Sequence, residues 1–435
     1  MAGTDDQMHF LLLPFMSSSR IIPFVHLAVL LARRGLKVSI AMTRLSVDRF
    51  RDIHESSGGR IHVVALDFPC KEAGLPEGGE SLELLPGPDL SPLLFRASGM
   101  LRDQLEQWLH GLKTLPNGIL SDVCLPWTAK VAEMFSIPRV IFHVNSCFAL
   151  VSSDASVSIK SSELQEIIAT FNEGTLSAQG AAINTFEELE ATNLQEFRKK
   201  TKNVWCIGPV RSQVEDMRDL DKVEESNGIF KWLDSQKASS VIYLCFGTLC
   251  QLVPDQIVEL GLGLEASGHP FLWVIRDGEH PWLKEFEERL GQRGVVMRGW
   301  APQLRILNHA SVGGFLTHCG WNSSLEGIAA GVPMATWPMI AEQFINERLI
   351  VDVLKIGVAV GVGAAGSGKV VGREEITVAV EKLMRGDEEG DDRRRKARDL
   401  GEAAKMAVAS GSSNSNITSM IKHFTEQRSQ SVRNS

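Results

Sequence analysis

The sequence predicts an α/β protein built from two doubly wound domains with parallel sheets. Three observations carry this prediction: the chain has 435 residues, its apolar and charged fractions are 44% and 23%, and short apolar runs alternate with helical patterns in both halves. That length suffices for two domains of ordinary size, and the composition is that of a globular chain. Alternating strands and helices form βαβ units, whose ligands bind beyond the carboxyl ends of the strands.

The first half supplies one domain. Strands are predicted at 10–14, 37–43, 61–66, 118–121 and 139–143. A helix is predicted from Pro23 to Arg34, because proline suits the first turn of a helix. Gly35 follows, and glycine suits the position after a helix end.

The second half repeats the pattern. Strands are predicted at 241–246, 271–275, 294–297, 314–317 and 333–335. Residues 211–227 are polar and charged without an apolar face, which indicates a linker. The predicted organisation is a first domain at 1–210, a linker at 211–228, a second domain at 229–410 and a tail at 411–435, in which 417–424 is predicted helical.

Composition excludes several function classes. The net charge of −8 argues against nucleic-acid binding. Seven scattered cysteines without a Cys-x-x-Cys motif indicate reduced thiols, and no secretory segment is visible, so a cytoplasmic location is expected. No apolar run approaches the roughly 20 residues that span a bilayer. We expect a monomer.

The most informative segment is residues 300–343, WAPQLRILNHASVGGFLTHCGWNSSLEGIAAGVPMATWPMIAEQ. Trp300 offers a flat aromatic face, and Glu326 offers acceptors for hydroxyl groups. Between them a short strand reaches a turn at Gly320, after which a helix is predicted, with Asn322 and Ser323 as N-cap types. The N–H groups and positive dipole end of such a helix attract phosphate. The set predicts a nucleotide-sugar site.

This segment resembles the signature box of the plant secondary-product glycosyltransferases, a UDP-dependent family with the GT-B fold of two Rossmann-like domains facing a cleft. The resemblance extends to Val241–Thr248, Cys206–Val210, Ser121–Asp122 and Pro14–Pro23, and thus covers most of the chain. It implies UDP-glucose as co-substrate and no metal ion.

The resemblance also implies the site residues. Trp300 is expected to stack on uracil, Ala301 and Gln303 to hold the base and ribose, and Glu326 to bind both ribose hydroxyls. The remaining expected donor contacts are Ser18, Thr248, His318, Trp321, Asn322, Ser323, Glu342 and Gln343. Of these, Glu342 and Gln343 match the pair that reads the sugar, and glutamine is the type usually linked with glucose. Packing is the alternative role for Trp321 and Trp337.

One departure concerns the general base. The family carries a histidine in a Pro-x-x-x-x-Gly-His-x-x-Pro pattern, oriented by an aspartate. Here Arg20 occupies the histidine position and Ser19 the glycine position, whereas Asp122 is present. Arginine stays protonated, so it is expected to pair with Asp122 rather than accept a proton. His143 is expected to border the acceptor site or to be structural.

The prediction is an inverting, metal-independent transfer of glucose to a hydroxyl of a small lipophilic acceptor, phenolic or flavonoid-like. Three readings of Arg20 stay open: the acceptors ionise readily, Asp122 takes the proton, or the chain is a catalytically impaired UDP-sugar-binding protein. The region between Leu150 and Asn184 looks shorter than in the family, which predicts an open acceptor pocket. A phosphate loop at 363–369 is disfavoured because Val370 follows it, and Asp219 with Asp221 is not expected to bind metal.

Overall fold

Two parallel sheets organise the chain. The structure, a computed structural model, describes residues 7–51, 53–152, 162–211, 223–250, 252–275, 281–363 and 369–434. The chain divides into two compact units, the first comprising Met1–Cys147, Ser156–Met217 and Ala407–Ser435, the second Phe148–Ala155 and Arg218–Met406. Among the described residues, no helix is long and apolar enough to cross a membrane.

The first unit holds a seven-stranded sheet in the order β3-β2-β1-β4-β5-β6-β7. Its strands are β1 His9–Leu13, β2 Lys37–Thr43, β3 Ile61–Leu66, β4 Gly118–Ser121, β5 Arg139–His143, β6 Ala181–Ile183 and β7 Val204–Cys206. All the pairings are parallel, so every strand ends at the same edge. The strand order reverses direction between β1 and β4, which makes their carboxyl ends the place where a ligand is expected.

Helices cover both faces of this sheet. They are α1 Ser18–Arg33, α2 Arg44–Arg49, α3 Ile53–Ser56, α4 Ser91–Gly99, α5 Arg102–His110, α6 Thr128–Met134, α7 Cys147–Val151, α8 Ser162–Leu176 and α9 Glu187–Lys200. One face buries α1 against apolar residues of the central strands, and the other buries α4 and α5. Coverage of both faces explains the almost uninterrupted apolar runs of the strands.

The second unit holds a six-stranded parallel sheet in the order β10-β9-β8-β11-β12-β13. Its strands are β8 Val241–Cys245, β9 Phe271–Ile275, β10 Gly294–Arg298, β11 Val312–Thr317, β12 Met334–Thr336 and β13 Gly357–Ala359. Its helices are α10 Val223–Asp234, α11 Pro254–Ala266, α12 Pro281–Leu290, α13 Gln303–Leu307, α14 Trp321–Ala329, α15 Gln343–Arg348, α16 Arg373–Met384 and α17 Glu388–Ala409. Here the order reverses between β8 and β11.

Several boundaries differ from the prediction. Helix α1 begins at Ser18, five residues before Pro23, because Ser17 is extended and a distant carboxylate, that of Glu83, receives the N–H of Ser18. Helix α10 begins at Val223, within the segment 211–228 that the sequence predicts as a linker. The last helix, α18, runs over Ser412–Asn434 and is longer than the predicted 417–424. It packs on the first sheet through Ile417, Met420 and Phe424.

Candidate active site

The carboxyl edge of the second sheet gathers the predicted donor residues. Thr248 follows β8, Trp300 follows β10, His318 follows β11, and Glu342 with Gln343 follows β12. Four separate strand ends therefore place these residues at one edge. His318 lies at the point where the strand order reverses, which is where open α/β sheets bind their ligands.

Between β11 and α14 the chain makes a tight turn. Cys319 adopts a left-handed backbone (φ 63°), unusual for a residue that is not glycine, and its carbonyl accepts a hydrogen bond from Asn346 Nδ2 (3.0 Å). Such strain persists where the surroundings enforce it, as at ligand-binding turns. The amide of Asn346 thus fixes the backbone just ahead of α14.

The N-cap of α14 is Gly320, not Asn322 or Ser323 as the sequence predicted. Both lie in the first turn of the helix, and Gly320 has no side chain with which to cap it. The backbone N–H groups of a first helical turn lack intrahelical acceptors. The helix start is consequently suited to an anion, which agrees with the predicted phosphate contact.

His318 is held between two glycines. A Cβ atom on Gly247 would lie 2.5 Å from its ring, and one on Gly320 would lie 2.4 Å from its Nε2. Burial lowers the pKa of His318 to about 4, although a hydrogen bond with the backbone of Cys245 opposes this, so the ring is neutral at pH 7. Within the described residues, no hydrogen-bond partner reaches its Nδ1. A buried ring nitrogen of this kind fits a ligand contact.

Glu326 belongs to a buried polar network. Its Oε2 accepts a hydrogen bond from Gln303 Nε2 (2.8 Å), which also donates to Ser323 Oγ (3.1 Å). The hydroxyl of Tyr243 donates to Gln303 Oε1 (3.2 Å). Gln303 thus orients the carboxylate of Glu326 through a direct hydrogen bond.

The sugar-reading candidates differ in how firmly they are held. Gln343 is buried, and its Oε1 accepts hydrogen bonds from the N–H groups of Met339 (2.8 Å) and Ile340 (3.0 Å). Glu342 is half-buried and stands at the N-cap of α15. Gln343 is therefore rigid, whereas Glu342 is more accessible.

The predicted aromatic residues fall into two groups. Trp300 is half-buried on the loop after β10, and Ala301 beside it is buried. Trp321 and Trp337 are 2% and 3% exposed. The ring of Trp337 packs edge-on against Phe246 at 5.6 Å. This burial favours the packing alternative for both.

At the first sheet, Arg20 and Asp122 lie where the strand order reverses between β1 and β4. The predicted ion pair is present: Arg20 Nη1 lies 3.8 Å from Asp122 Oδ2, and the side chain of Asp122 is fully buried. Asp122 Oδ1 accepts the N–H of Cys124 (2.9 Å). The carboxylate is thus engaged by a cation and a backbone donor.

Two further residues flank this pair. The N–H of Ser18, a predicted donor contact, donates to Glu83, and its Oγ accepts a hydrogen bond from Arg49 (2.7 Å); the donor contact stays a prediction. His143, at the end of β5, is buried, and within the described residues neither of its ring nitrogens has a hydrogen-bond partner. Burial, and secondly the charge of Arg20, lowers the pKa of His143 to about 3.

Sequence reasoning missed three contributors: Tyr243, Asn346 and Cys250, whose Sγ accepts a hydrogen bond from Gln343 Nε2 (3.7 Å). Tyr243 is the chain's one tyrosine and Asn346 is fully buried, so a rare or polar type inside an apolar pattern was the available signal.

Residues 364–368 of the disfavoured phosphate loop, and Asp219 and Asp221, lie outside the described residues. Elsewhere in the part of the chain that the structure covers, no three His, Cys, Asp or Glu side chains form a metal-binding group.

The two doubly wound units and the nucleotide-sugar features define a GT-B protein, and comparisons agree. The family model described as UDP-glucoronosyl and UDP-glucosyl transferase matches residues 207–389. UDP-glycosyltransferase 73C7 of Arabidopsis thaliana is 40% identical, over 97% of this chain and 98% of that protein. UDP-glycosyltransferase 73C12 of Barbarea vulgaris is 38% identical, over 96% and 97%. The chain belongs to the plant UDP-glycosyltransferase family, and it is a glycosyltransferase.

Solved structures lead to the same fold. The crystal structure of Glycyrrhiza uralensis UGT73P12 complexed with glycyrrhetinic acid 3-O-monoglucuronide has a TM-score of 0.88 and 31% identity, covering 98% of both chains. That of Arabidopsis thaliana UGT89C1 complexed with UDP-L-rhamnose has a TM-score of 0.82 and 30% identity, covering 96% of this chain and 99% of that one. The predicted GT-B fold is confirmed.

This chain lacks segments that its relatives contain. The alignment with the Barbarea relative spans 480 positions, more than the 435 residues of this chain, so the relative carries segments that are absent here. The predicted shortening between Leu150 and Asn184 stays a prediction, and its residues 153–161 lie outside the described ranges.

Proposed function

We propose that the chain transfers glucose from UDP-glucose, with inversion and without a metal ion, to a hydroxyl of a small lipophilic acceptor, phenolic or flavonoid-like. The observation that carries the proposal is the edge of the second sheet. A neutral, buried His318, whose Nδ1 has no partner in the part of the chain that the structure describes, stands beside the start of α14, and Glu326 is oriented by Gln303. These groups suit a pyrophosphate and a ribose diol respectively.

Each group has one task in this proposal. Trp300 stacks on the uracil, and the first turn of α14 with His318 binds the pyrophosphate. Gln343 and Glu342 hold the hexose. The acceptor reacts as a phenolate, whose proton has passed to solvent. Its oxygen forms a bond to the anomeric carbon while the bond from that carbon to the phosphate oxygen breaks, and UDP leaves with the electron pair. Hydrogen bonds at the pyrophosphate stabilise the charge that develops there.

Arg20 determines which acceptors react. Asp122 accepts the Cys124 N–H and lies beside a permanent cation, so its carboxylate is already engaged by two groups of the protein. A phenol that ionises readily needs no base, and the positive charge of Arg20 favours its phenolate. A similar solved structure, that of Arabidopsis thaliana UGT89C1 complexed with quercetin, holds such a phenolic compound. The proposed acceptors are therefore acidic phenols.

UDP release tests the proposal. The protein is incubated at neutral pH with UDP-glucose and phenols of graded acidity, and we expect faster UDP release with the more acidic phenols. Arg20→His should accelerate transfer to weakly acidic phenols by about 10²-fold, because a general base contributes roughly 10²–10⁴-fold. The matched control is Arg60→His, since Arg60 is also an arginine of the first unit but is exposed.

Two results would contradict the account. A fast wild type that Arg20→His slows would show that Arg20 does not replace a needed base. Binding of UDP-glucose without UDP release from any phenol, in wild type and Arg20→His alike, would favour the alternative, a catalytically impaired UDP-sugar-binding protein.

A further inference from the structure

The side-chain amide of Gln343 is fixed by three contacts. Its Oε1 accepts the N–H groups of Met339 (2.8 Å) and Ile340 (3.0 Å), and its Nε2 donates to Cys250 Sγ (3.7 Å). A glutamine amide offers two lone pairs and two hydrogens. Both lone pairs and one hydrogen are therefore used inside the protein, and no acceptor among the described residues meets the second N–H.

This arrangement also fixes the orientation of the amide. If the amide rotated by half a turn, its NH2 group would face the N–H groups of Met339 and Ile340. All these groups are hydrogen-bond donors, so neither N–H would have an acceptor. Cys250 comes from a different part of the sheet edge. It lies on the loop after β8, whereas Gln343 begins α15, the helix after β12. The sulfur thus determines where the second hydrogen of the amide points.

The thiol of Cys250 is suited to accept this bond. Burial raises its pKa to about 11, partly opposed by the hydrogen bond from Gln343, so it remains a neutral thiol at pH 7. Its charged or titratable neighbours are Cys245 and Glu342, which both raise the pKa further. A neutral sulfur is a weak acceptor that does not attract a competing cation.

Building on the donor site proposed above, we propose that Cys250 is a positioning residue for the hexose of the donor. It holds Gln343 so that a single N–H faces the sugar. Gln343 consequently meets the hexose only as a hydrogen-bond donor to a sugar oxygen. The pyrophosphate and uracil contacts do not depend on this bond, since they belong to His318, α14 and Trp300.

Calorimetry with UDP and with UDP-glucose separates the two parts of the donor. For Cys250→Ala we expect the affinity for UDP-glucose to fall by about 2- to 10-fold, the size of one ordinary side-chain hydrogen bond. The affinity for UDP should stay within about twofold. Cys250→Ser should recover much of the loss, because a hydroxyl also accepts a hydrogen bond. The control is Cys70→Ala, a half-buried cysteine of the first unit.

A double-mutant cycle completes the test. In a Gln343→Ala background, Cys250→Ala should cause no further loss of UDP-glucose affinity, because the group that it positions is gone. Equal losses of UDP and UDP-glucose affinity, or a further loss in the Gln343→Ala background, would overturn the role of Cys250 and leave the proposed function intact. A wild type that binds neither UDP nor UDP-glucose would overturn both.

Discussion

His318 keeps its place because two glycines leave room for its ring. Gly320 has an ordinary backbone, so only space demands glycine there. Gly247 has two reasons to be glycine: its φ is +72°, and a Cβ atom would lie 2.5 Å from the ring of His318. The position of the His318 ring thus depends on the lack of a side chain at Gly247 and at Gly320.

Gly247→Ala should therefore lower the affinity for UDP as well as stability. The left-handed backbone alone costs about 1–2 kcal/mol with an alanine, and the clash displaces His318 in addition. The control is Gly361→Ala: Gly361 has a φ of +89°, but no atom lies within 4 Å of its added Cβ. Gly361→Ala should lower the free energy of unfolding by a similar amount through backbone strain, but should keep the wild-type affinity for UDP. Equal UDP affinities in both variants would show that the position of His318 does not matter.

Regular elements were predictable where they are long enough to show a period. The strands Lys37–Thr43, Arg139–His143 and Phe271–Ile275 have the predicted bounds. Strands β6, β7 and β13 have three residues each and were not predicted, because so short a segment shows no period; β12 is equally short and was predicted, at 333–335. Helix α1 starts early because its N-terminus is capped by Glu83, which is 65 residues away from Ser18 in the chain. A contact of that kind is invisible to local pattern analysis.

Contacts between residues that are far apart in the chain also limit how much of the site the sequence could predict. Residue types indicated His318, which follows β11, and Glu326, which lies in the next helix, because a phosphate and a diol each need a particular chemistry. The bond between Gln303 and Glu326 joins residues 23 apart, and that between Cys250 and Gln343 joins residues 93 apart. Only the folded sheet brings such pairs together, so the roles of Gln303 and Cys250 as orienting residues needed the structure.

Helix α18 contributes to the core of the first unit, although it comes last in the sequence. Phe424 is fully buried, and its ring meets that of Phe10 edge-on at 5.0 Å. A Cβ atom on Gly118 would lie 2.4 Å from the same ring, so the strand itself leaves space for the helix. The last helix of the sequence thus packs on the first sheet and forms part of its core.

Phe424→Ala should accordingly destabilise the protein by about 3–5 kcal/mol, the usual cost of removing a buried phenyl ring. The midpoint of urea unfolding measures the loss. Lys422→Ala is the control on the same helix, because Lys422 is exposed and its ion pair with Glu426 is a surface pair, so a change below about 0.5 kcal/mol is expected. Similar shifts in the two variants would mean that α18 is not part of the core.

Both units use the same design to place polar groups. In each, a parallel sheet reverses its strand order once, between β1 and β4 or between β8 and β11. Arg20 and Asp122 follow the first reversal, and Gly247 and His318 follow the second. Parallel sheets covered on both faces leave only this edge for polar side chains, which is why the candidate residues of each unit converge there.

Burial has a consequence for stability as well. His9, His143 and His318 have pKa values lowered to about 4, about 3 and about 4, in each case mainly by burial. The unfolded chain, with histidine pKa values near 6.5, binds more protons than the folded chain between these limits. Stability is therefore complete above about pH 6.5 and declines as the pH falls toward 4.

His143 allows a direct measurement of this effect. At pH 5 a buried neutral histidine costs the folded state up to about 2 kcal/mol relative to pH 7, since one pKa unit corresponds to about 1.4 kcal/mol. His143→Phe should reduce the loss of unfolding free energy between pH 7 and pH 5 by about this amount. Phe197→Leu is the control: Phe197 packs against the His143 ring at 5.9 Å, so this variant should lose stability equally at both pH values. An unchanged pH dependence in His143→Phe would show that His143 takes up a proton in the folded state as readily as in the unfolded chain, and would contradict its burial as a neutral ring.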